Sequence, residues 1–266
     1  MRANYYATGL IFFMELKSSL HIHTAEDRFD GVIIKYNIYR LIDKAQKLGF
    51  KVLALTCHKK FVYKKEYGDY ARREGILLIP GVELAITKFI FFHSDIVVLN
   101  CGKDAEQVKT FEQLREYKKN NPRIFVIAPH PLFDFKNSIG RNKLIEYIDI
   151  FDAVEHSWFY SDLINFNKKA KRIAEKYNKP FIATSDAHTL NYFNVDYAVI
   201  SADELTVENV FKSIRQKKFK NITRPKNIFK LIFHIIIFKL KIYLSLPFRR
   251  SHNSSHKSTN QLQINK

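Results

Sequence analysis

The chain has little cysteine. Only Cys57 and Cys101 occur among 266 residues, without CxxC spacing, which excludes a disulfide framework and points to a reducing, cytoplasmic compartment. It has no P-loop, no GxGxxG and no GxSxG, so nucleoside-triphosphate, dinucleotide and serine-hydrolase chemistries have no motif behind them. No internal repeat of fixed period is found. The opening "MRANYYATGLIFFM" holds one Arg and a short apolar run with no small-residue cleavage site behind it, so no signal peptide is expected. Acids are missing from the C-terminal end: residues 221–266 carry nine Lys or Arg and no Asp or Glu. That segment therefore accounts for half of the +18 net charge.

What is present is a globular composition, 46% hydrophobic, in a chain long enough for one large α/β domain. Short apolar runs alternate with helical periodicity from residue 15 to about 200, the pattern of repeated βα units around a parallel sheet. The predicted strands are SSLHIHT, KVLALTCH, ILLIPGVEL, IFFHSDIVVLN, RIFVIAPHP, FDAVEHSW, FIATSDAH and DYAVIS. Between them, Ile38, Leu41, Ile42, Ala45 and Leu48 recur at three- and four-residue steps before Gly49, and similar helical runs lie near 105–118 and 165–178. Met14 stands directly before the first strand, so residues 1–14 read as a dispensable extension and Met14 as a second start.

Ionisable residues gather at the strand ends. His21 and His23 share one strand face, as do Asp186 and His188. His58, Glu83, His130 and the pair Glu155-His156 each close another predicted strand. Six of the ten histidines (His21, His23, His58, His130, His156 and His188) take this one topological position. Structural histidines would scatter among helices and loops. In an α/β barrel the strand C-termini form a single rim, where such barrels place their chemistry, and imidazole with carboxylate suits Zn²⁺, Mn²⁺ or Fe²⁺.

"LHIHT", "LTCHK", "PGVEL", "APHP" and "SDAH", in this order, resemble the polymerase and histidinol phosphatase (PHP) domain family over residues 15 to about 200. The resemblance implies an α/β fold, a distorted (β/α)7 TIM-like barrel, carrying two or three divalent ions. By it, His21, His23, Glu83 and Asp186 hold one ion, and Glu83 bridges to a second held by His130 and by either His93 or Asp95. A third takes His58, His188 and an acid of the following loop, either Asp27 or Asp30. Glu83, Asp186 and His188 are the expected catalytic residues, and either Glu155 or His156 stands beside them. The family's "DLHxH" is "SLHIH" here and its "TDHD" is "TCHK", so Ser19, Cys57 and Lys60 replace groups that surround the site in relatives. Cys57 reads as a packing residue.

The implied reaction is metal-dependent phosphoester hydrolysis, with a nucleotide or other small phosphorylated molecule as substrate. A nuclease acting on DNA or RNA ends is the alternative, and a non-catalytic metal-binding or membrane-associated module the third reading. A decayed domain would be expected to lose ligands, and nearly all are kept. Arg141 and Lys143 are candidate phosphate contacts.

Beyond the barrel, assigned to 15–220, lies a basic amphipathic helix at 221–250 and a disordered Ser/His/Asn-rich end at 251–266. The run "KNIFKLIFHIIIFKLKIYLSLP" has spanning length, but Lys230, Lys239 and Lys241 would each cost roughly 2.5–3.5 kcal/mol near a span's centre. At helical period Lys226, Lys230, His234 and Lys241 share one face, an interfacial design. Residues 226–250, ending in Arg249-Arg250, are therefore expected to touch an anionic membrane peripherally, on its inner surface.

Overall fold

The computed structural model describes residues 13–89, 92–133, 137–233, 236–237, 240 and 243–244. The N-terminal extension up to residue 12, His234, Lys239, Lys241, Arg249, Arg250 and the segment 251–266 lie outside the described residues.

Nine strands are found among the described residues: β1 Met14–Ser19, β2 Val52–Leu55, β3 Leu77–Phe89, β4 Phe92–Leu99, β5 Phe125–Ala128, β6 Ala153–His156, β7 Phe181–Ala183, β8 Tyr197–Ala202 and β9 Phe219–Ile222. They form one sheet in the order β7-β6-β5-β4-β3-β2-β1-β8-β9. The eight predicted strands all appear. β9 was not anticipated, and the barrel boundary drawn at residue 220 falls inside it.

The sheet is mixed rather than parallel throughout. β1, β2 and β3 pair in parallel, as do β5, β6 and β7, but β4 is antiparallel to both its neighbours. Only two residues separate β3 from β4, whereas a parallel return needs a crossover of about a dozen. β8 is likewise antiparallel to β1 and to β9.

Side-chain alternation divides the core. Val52 and Ala54 of β2, Val97 and Leu99 of β4, Phe125 and Ile127 of β5, and Ala198 and Ile200 of β8 join one buried cluster. The intervening Leu53 and Leu55 pack instead with α1 (Ile38–Lys47) and α2 (Lys65–Arg73). Val98, Val126 and Val154 do the same with α3 (Phe111–Asn120), α4 (Arg141–Glu146) and α5 (Asn167–Lys176). This period of two is what a sheet covered by helices requires. α1 carries the expected stripe, with Ile38, Leu41, Ile42 and Ala45 buried. Asn37 caps its start by accepting from the Arg40 N–H at 3.0 Å, and Gly49 (φ +76°) ends it. Phe211 of α6 (Val207–Arg215) stacks on Phe125, the first residue of β5, at 4.6 Å. α6 thus covers the strand starts and leaves the strand C-termini open.

Closure depends on one amide. The side chain of Asn221 in β9 accepts from the Ala183 N–H and donates to the Phe181 carbonyl, both at 2.8 Å. It occupies the free edge of β7 as a strand's peptide group would. Asn221→Ala leaves two backbone groups of β7 unpaired, and we expect a loss of about 1–3 kcal/mol, seen as a fall in Tm of several degrees. An unchanged Tm would show that the β7 edge does not rely on this residue.

After β9 the chain turns back over β6. Lys226, expected on the helix's polar face, is instead partly buried and ion-paired with the fully buried Asp196, while its N–H donates to the Tyr160 carbonyl at 3.0 Å. Burial lowers the Lys226 pKa, with Asp196 opposing. Asp196 also accepts from the Arg224 N–H at 3.1 Å. A buried carboxylate without a cation is costly, so this pair binds the start of the tail to the barrel. No helix among the described residues is long and apolar enough to cross a membrane.

Candidate metal centre

The rim is assembled by short extensions of the strands. Beyond β1, Ile22 is held on one side by Thr56, through the Ile22 N–H to Thr56 Oγ1 (2.9 Å) and the Thr56 N–H to the Ile22 carbonyl (3.0 Å). On the other side it bridges to Ala187. His21 and His23, flanking Ile22, are thereby both turned into the barrel mouth and are completely buried. His58 lies beside Glu83 in an isolated parallel bridge that continues the β2–β3 pairing. Because β4 runs in reverse, its beginning reaches the rim where the other strands end. Asp95 pairs with Ala85, two residues beyond Glu83.

Three groups of ligand-type atoms result among the described residues: His21, His23 and Asp186; Glu83, Asp95 and His130; and His23, His58 and His188. Around the first, His21 Nε2 and His23 Nε2 are 3.1 Å apart. Glu83 Oε2 is 3.3 and 3.4 Å from them, and Asp186 Oδ1 3.6 and 3.3 Å. A tetrahedron of ligands about 2.0–2.1 Å from a central ion has edges of about 3.4 Å, so these four atoms already stand at coordination spacing. Glu83 Oε1 faces the second group, 3.4 Å from His130 Nε2. Both carboxylate oxygens of Glu83 are buried and accept no hydrogen bond. A buried carboxylate left this way lacks a partner, and a cation on each side would supply it. The residues therefore fit divalent ions.

Each imidazole is aimed by its other nitrogen. His21 Nδ1 lies 2.9 Å from Glu155 Oε2. His23 Nδ1 and His58 Nδ1 both lie against Asp27 Oδ2, at 3.1 and 2.8 Å. His188 Nδ1 lies 3.1 Å from the Asp186 carbonyl. A proton on Nδ1 in each case leaves Nε2 as a lone pair directed inward, the usual means by which a carboxylate or carbonyl orients a metal-binding histidine. Glu155→Gln would keep the shape and weaken that hold. We expect metal affinity to fall about 10–100-fold with little change in folding, measured by competition against a fluorescent chelator; affinity equal to the unaltered protein's would remove Glu155 from this role.

The site is electrostatically loaded. Burial would lower the pKa of His21, but Glu83, Asp186 and Glu155 outweigh it and hold it well above the ordinary value. Burial likewise opposes protonation of His58, and Asp27 and Glu83 overcome it. His130 is pushed up to about 9, Glu83 and Asp186 outweighing burial. Burial would raise the Glu83 carboxyl, yet His21 and His58 keep it well below the carboxylate range. His130 (φ +28°) and Asp186 (φ +41°) also hold backbone angles that L-residues rarely adopt. Such strain costs of order 1–3 kcal/mol and gathers at functional sites.

Of the residues expected in the site, His21, His23, His58, Glu83, His130, Asp186 and His188 converge as described. The others are sorted by their contacts. Asp27 spends one oxygen on His23 and His58 and the other on the N–H groups of Phe29 (2.7 Å) and Asp30 (3.0 Å), so it positions two imidazoles. Asp30 is the loop acid facing inward, with Oδ2 3.3 Å from His188 Nε2. Gly31 holds this winding: a Cβ there would lie 2.3 Å from the Asp27 carbonyl oxygen and 2.4 Å from that of Ala25. On β4 it is Asp95, not His93, that joins a ligand group; His93, less buried, places Nε2 3.1 Å from Asp95 Oδ1. His156 packs edge-on against Tyr160 and Phe181, outside the three groups. Ser19, where relatives carry Asp, bonds to Ser185 Oγ at 2.7 Å and ties β1 to the segment after β7. Burial raises the Cys57 thiol pKa well above its ordinary value, in keeping with a packing residue. Lys143 is an exposed α4 residue paired with Glu146 at 2.9 Å.

Comparison with solved structures bears on this arrangement. A two-domain protein from Bacteroides vulgatus, containing a predicted PHP-like metal-dependent phosphoesterase, superposes with a TM-score of 0.60 and 18% identity over 80% of this chain. The chain has the fold of the PHP domain family. It spans 66% of the length of that protein. PsfC from Pseudomonas syringae matches with a TM-score of 0.60 and 18% identity, covering 86% of this chain and 99% of its own. PfuEndoQ, a lesion-specific endonuclease from Pyrococcus furiosus, matches at 0.55 and 14% identity, over 78% of this chain and 58% of its own. By sequence, the family model described as PHP-associated matches residues 165–219, from the start of α5 into β9 of the PHP fold. No curated protein matches.

Proposed function

We propose that this chain hydrolyses phosphoesters at a centre of two or three divalent ions, with a phosphorylated small molecule or nucleotide as substrate. The observation that carries the reading is the Glu83 carboxylate, buried between imidazoles on both sides with neither oxygen hydrogen-bonded. Divalent ions at such a centre supply an activated water and neutralise phosphate oxygens.

The protein's own part is arrangement and charge. His21, His23, Glu83 and Asp186 hold one ion; Glu83, Asp95 and His130 a second; His58, His188 and Asp30 a third. Asp27 and Glu155 fix the imidazoles so that no side chain must reorganise as the phosphate arrives, which is where preorganised sites gain their rate. Asp186 and His188, adjoining one another at 3.6 Å, border the ion positions and are the groups placed to orient the attacking water.

Metal analysis of the purified protein, combined with phosphate release from an aryl phosphate with and without Mn²⁺, tests the reading. Two or three equivalents of metal and Mn²⁺-dependent turnover are expected. A metal-free, inert protein would instead support a binding module. A panel of nucleoside monophosphates, bisphosphates and short oligonucleotides separates phosphatase from nuclease. The basic barrel favours polyanions in either case.

A further inference from the structure

The C-terminal segment presents its apolar residues in an unusual direction. Residues 228–233, 236–237, 240 and 243–244 are all helical, and Asn227 opens the run by accepting from the N–H groups of Phe229 (3.1 Å) and Lys230 (3.3 Å). Leu231 is buried. Phe229, Ile232, Phe233, Ile236, Leu240, Tyr243 and Leu244 are not, with exposures of 76% at Phe229, 66% at Phe233 and 70% at Tyr243. At 100° per residue these seven span about 120° of the circumference, and Leu231 falls on the opposite side. An ordinary surface helix turns such a stripe inward. This one packs against the barrel with its back and leaves the stripe in solvent.

The place of departure is also fixed. Lys226 bridges to Ser161 in the loop after β6, and that loop exposes Leu163 at 80% together with Ile164 and Phe166. β6 ends on the rim that carries Glu155. The apolar surface therefore begins beside the mouth of the metal centre.

Charge selects the occupant. The segment 221–266 carries nine basic residues and no acid on a chain of net charge +18. A second copy of this chain would bring the same basic segment against itself. An anionic lipid surface offers both an apolar layer for the stripe and countercharge for the lysines, the combination that holds amphipathic helices in the interface. From the exposed stripe and the acid-free basic segment, we infer that residues 226–250 dock this protein peripherally on an anionic membrane.

The test is vesicle co-sedimentation of the full chain. Binding to phosphatidylglycerol-containing vesicles is expected to be at least about tenfold tighter than to pure phosphatidylcholine and to weaken with salt. The variant Phe229→Glu/Phe233→Glu/Tyr243→Glu should lose it while keeping the unaltered protein's Tm, since all three residues are exposed. Lys230→Glu should independently reduce binding to the anionic vesicles. Failure of the full chain to bind, or equal binding by the triple variant, overturns the inference. So does a dimer in light scattering that the triple variant dissolves without any vesicle binding, for the stripe would then be a self-contact. Neither result depends on catalytic turnover.

Discussion

Glu83→Ala is expected to reduce phosphate release by on the order of 10³-fold or more, about 4 kcal/mol of transition-state stabilisation, and to lower the bound metal by at least one equivalent. The carboxylate lies within 3.1–3.4 Å of the inward nitrogens of His21, His23, His58 and His130. Its loss removes a ligand from two ion positions at once and leaves four imidazoles facing each other without countercharge. Glu83→Gln discriminates shape from charge. The amide fills the same volume, but its NH₂ group donates where a cation needs a lone pair, so Gln should fare nearly as badly as Ala. Elemental analysis and aryl phosphate hydrolysis on the same preparations check the prediction. A Gln variant with full metal content and more than about a tenth of the activity would show that Glu83 is only packed among the histidines.

Much of the centre was legible because one rule, that parallel strands end on a common rim, collects residues far apart in sequence. His21 and His23 could be placed on one face from alternation alone. Where that rule is silent, the chain was harder to read. Asp27 and Asp30 sit three residues apart in one loop, and composition does not distinguish them. What decides is how the backbone winds at Gly31, which spends Asp27 on His23, His58 and two N–H groups and leaves Asp30 facing His188. His93 and Asp95 share a face of β4, so periodicity treats them alike. Only depth separates them, since Asp95 is nearly fully buried and His93 is not.

The remaining misses have a common cause. β9 reads FKNI, with little of the apolar alternation that marks a strand, because Asn221 is there to bond the β7 edge. Lys226 looked like the polar face of a helix because a sequence does not reveal that Asp196 waits buried thirty residues earlier. In both cases a polar residue is consumed by a distant partner, and patterns built on local period cannot register it.

Stripping the metal should reverse the pH dependence of stability. In the metal-free fold His21 and His58 are held well above the ordinary 6.5 and His130 at about 9, so all three are protonated near neutrality. Between about 6.5 and 9 the folded protein binds more protons than the unfolded chain, and stability linked to these groups drains away as pH rises through that window. Glu83, depressed below 4.5, contributes in the opposite sense, its share being lost only on acidification below its folded value. Metal inverts the first trend. Ligands must shed their protons to coordinate, so ion affinity climbs with pH across the same window, and ligand-linked stabilisation climbs with it, by about 2.7 kcal/mol once free metal reaches 100 times Kd. Thermal unfolding in chelator is thus expected to show Tm falling from pH 6.5 to 9, and unfolding in excess Mn²⁺ to show it level or rising. Parallel curves would mean that proton and metal do not compete for the same nitrogens, and that the convergence of His21, His58 and His130 on Glu83 serves packing alone.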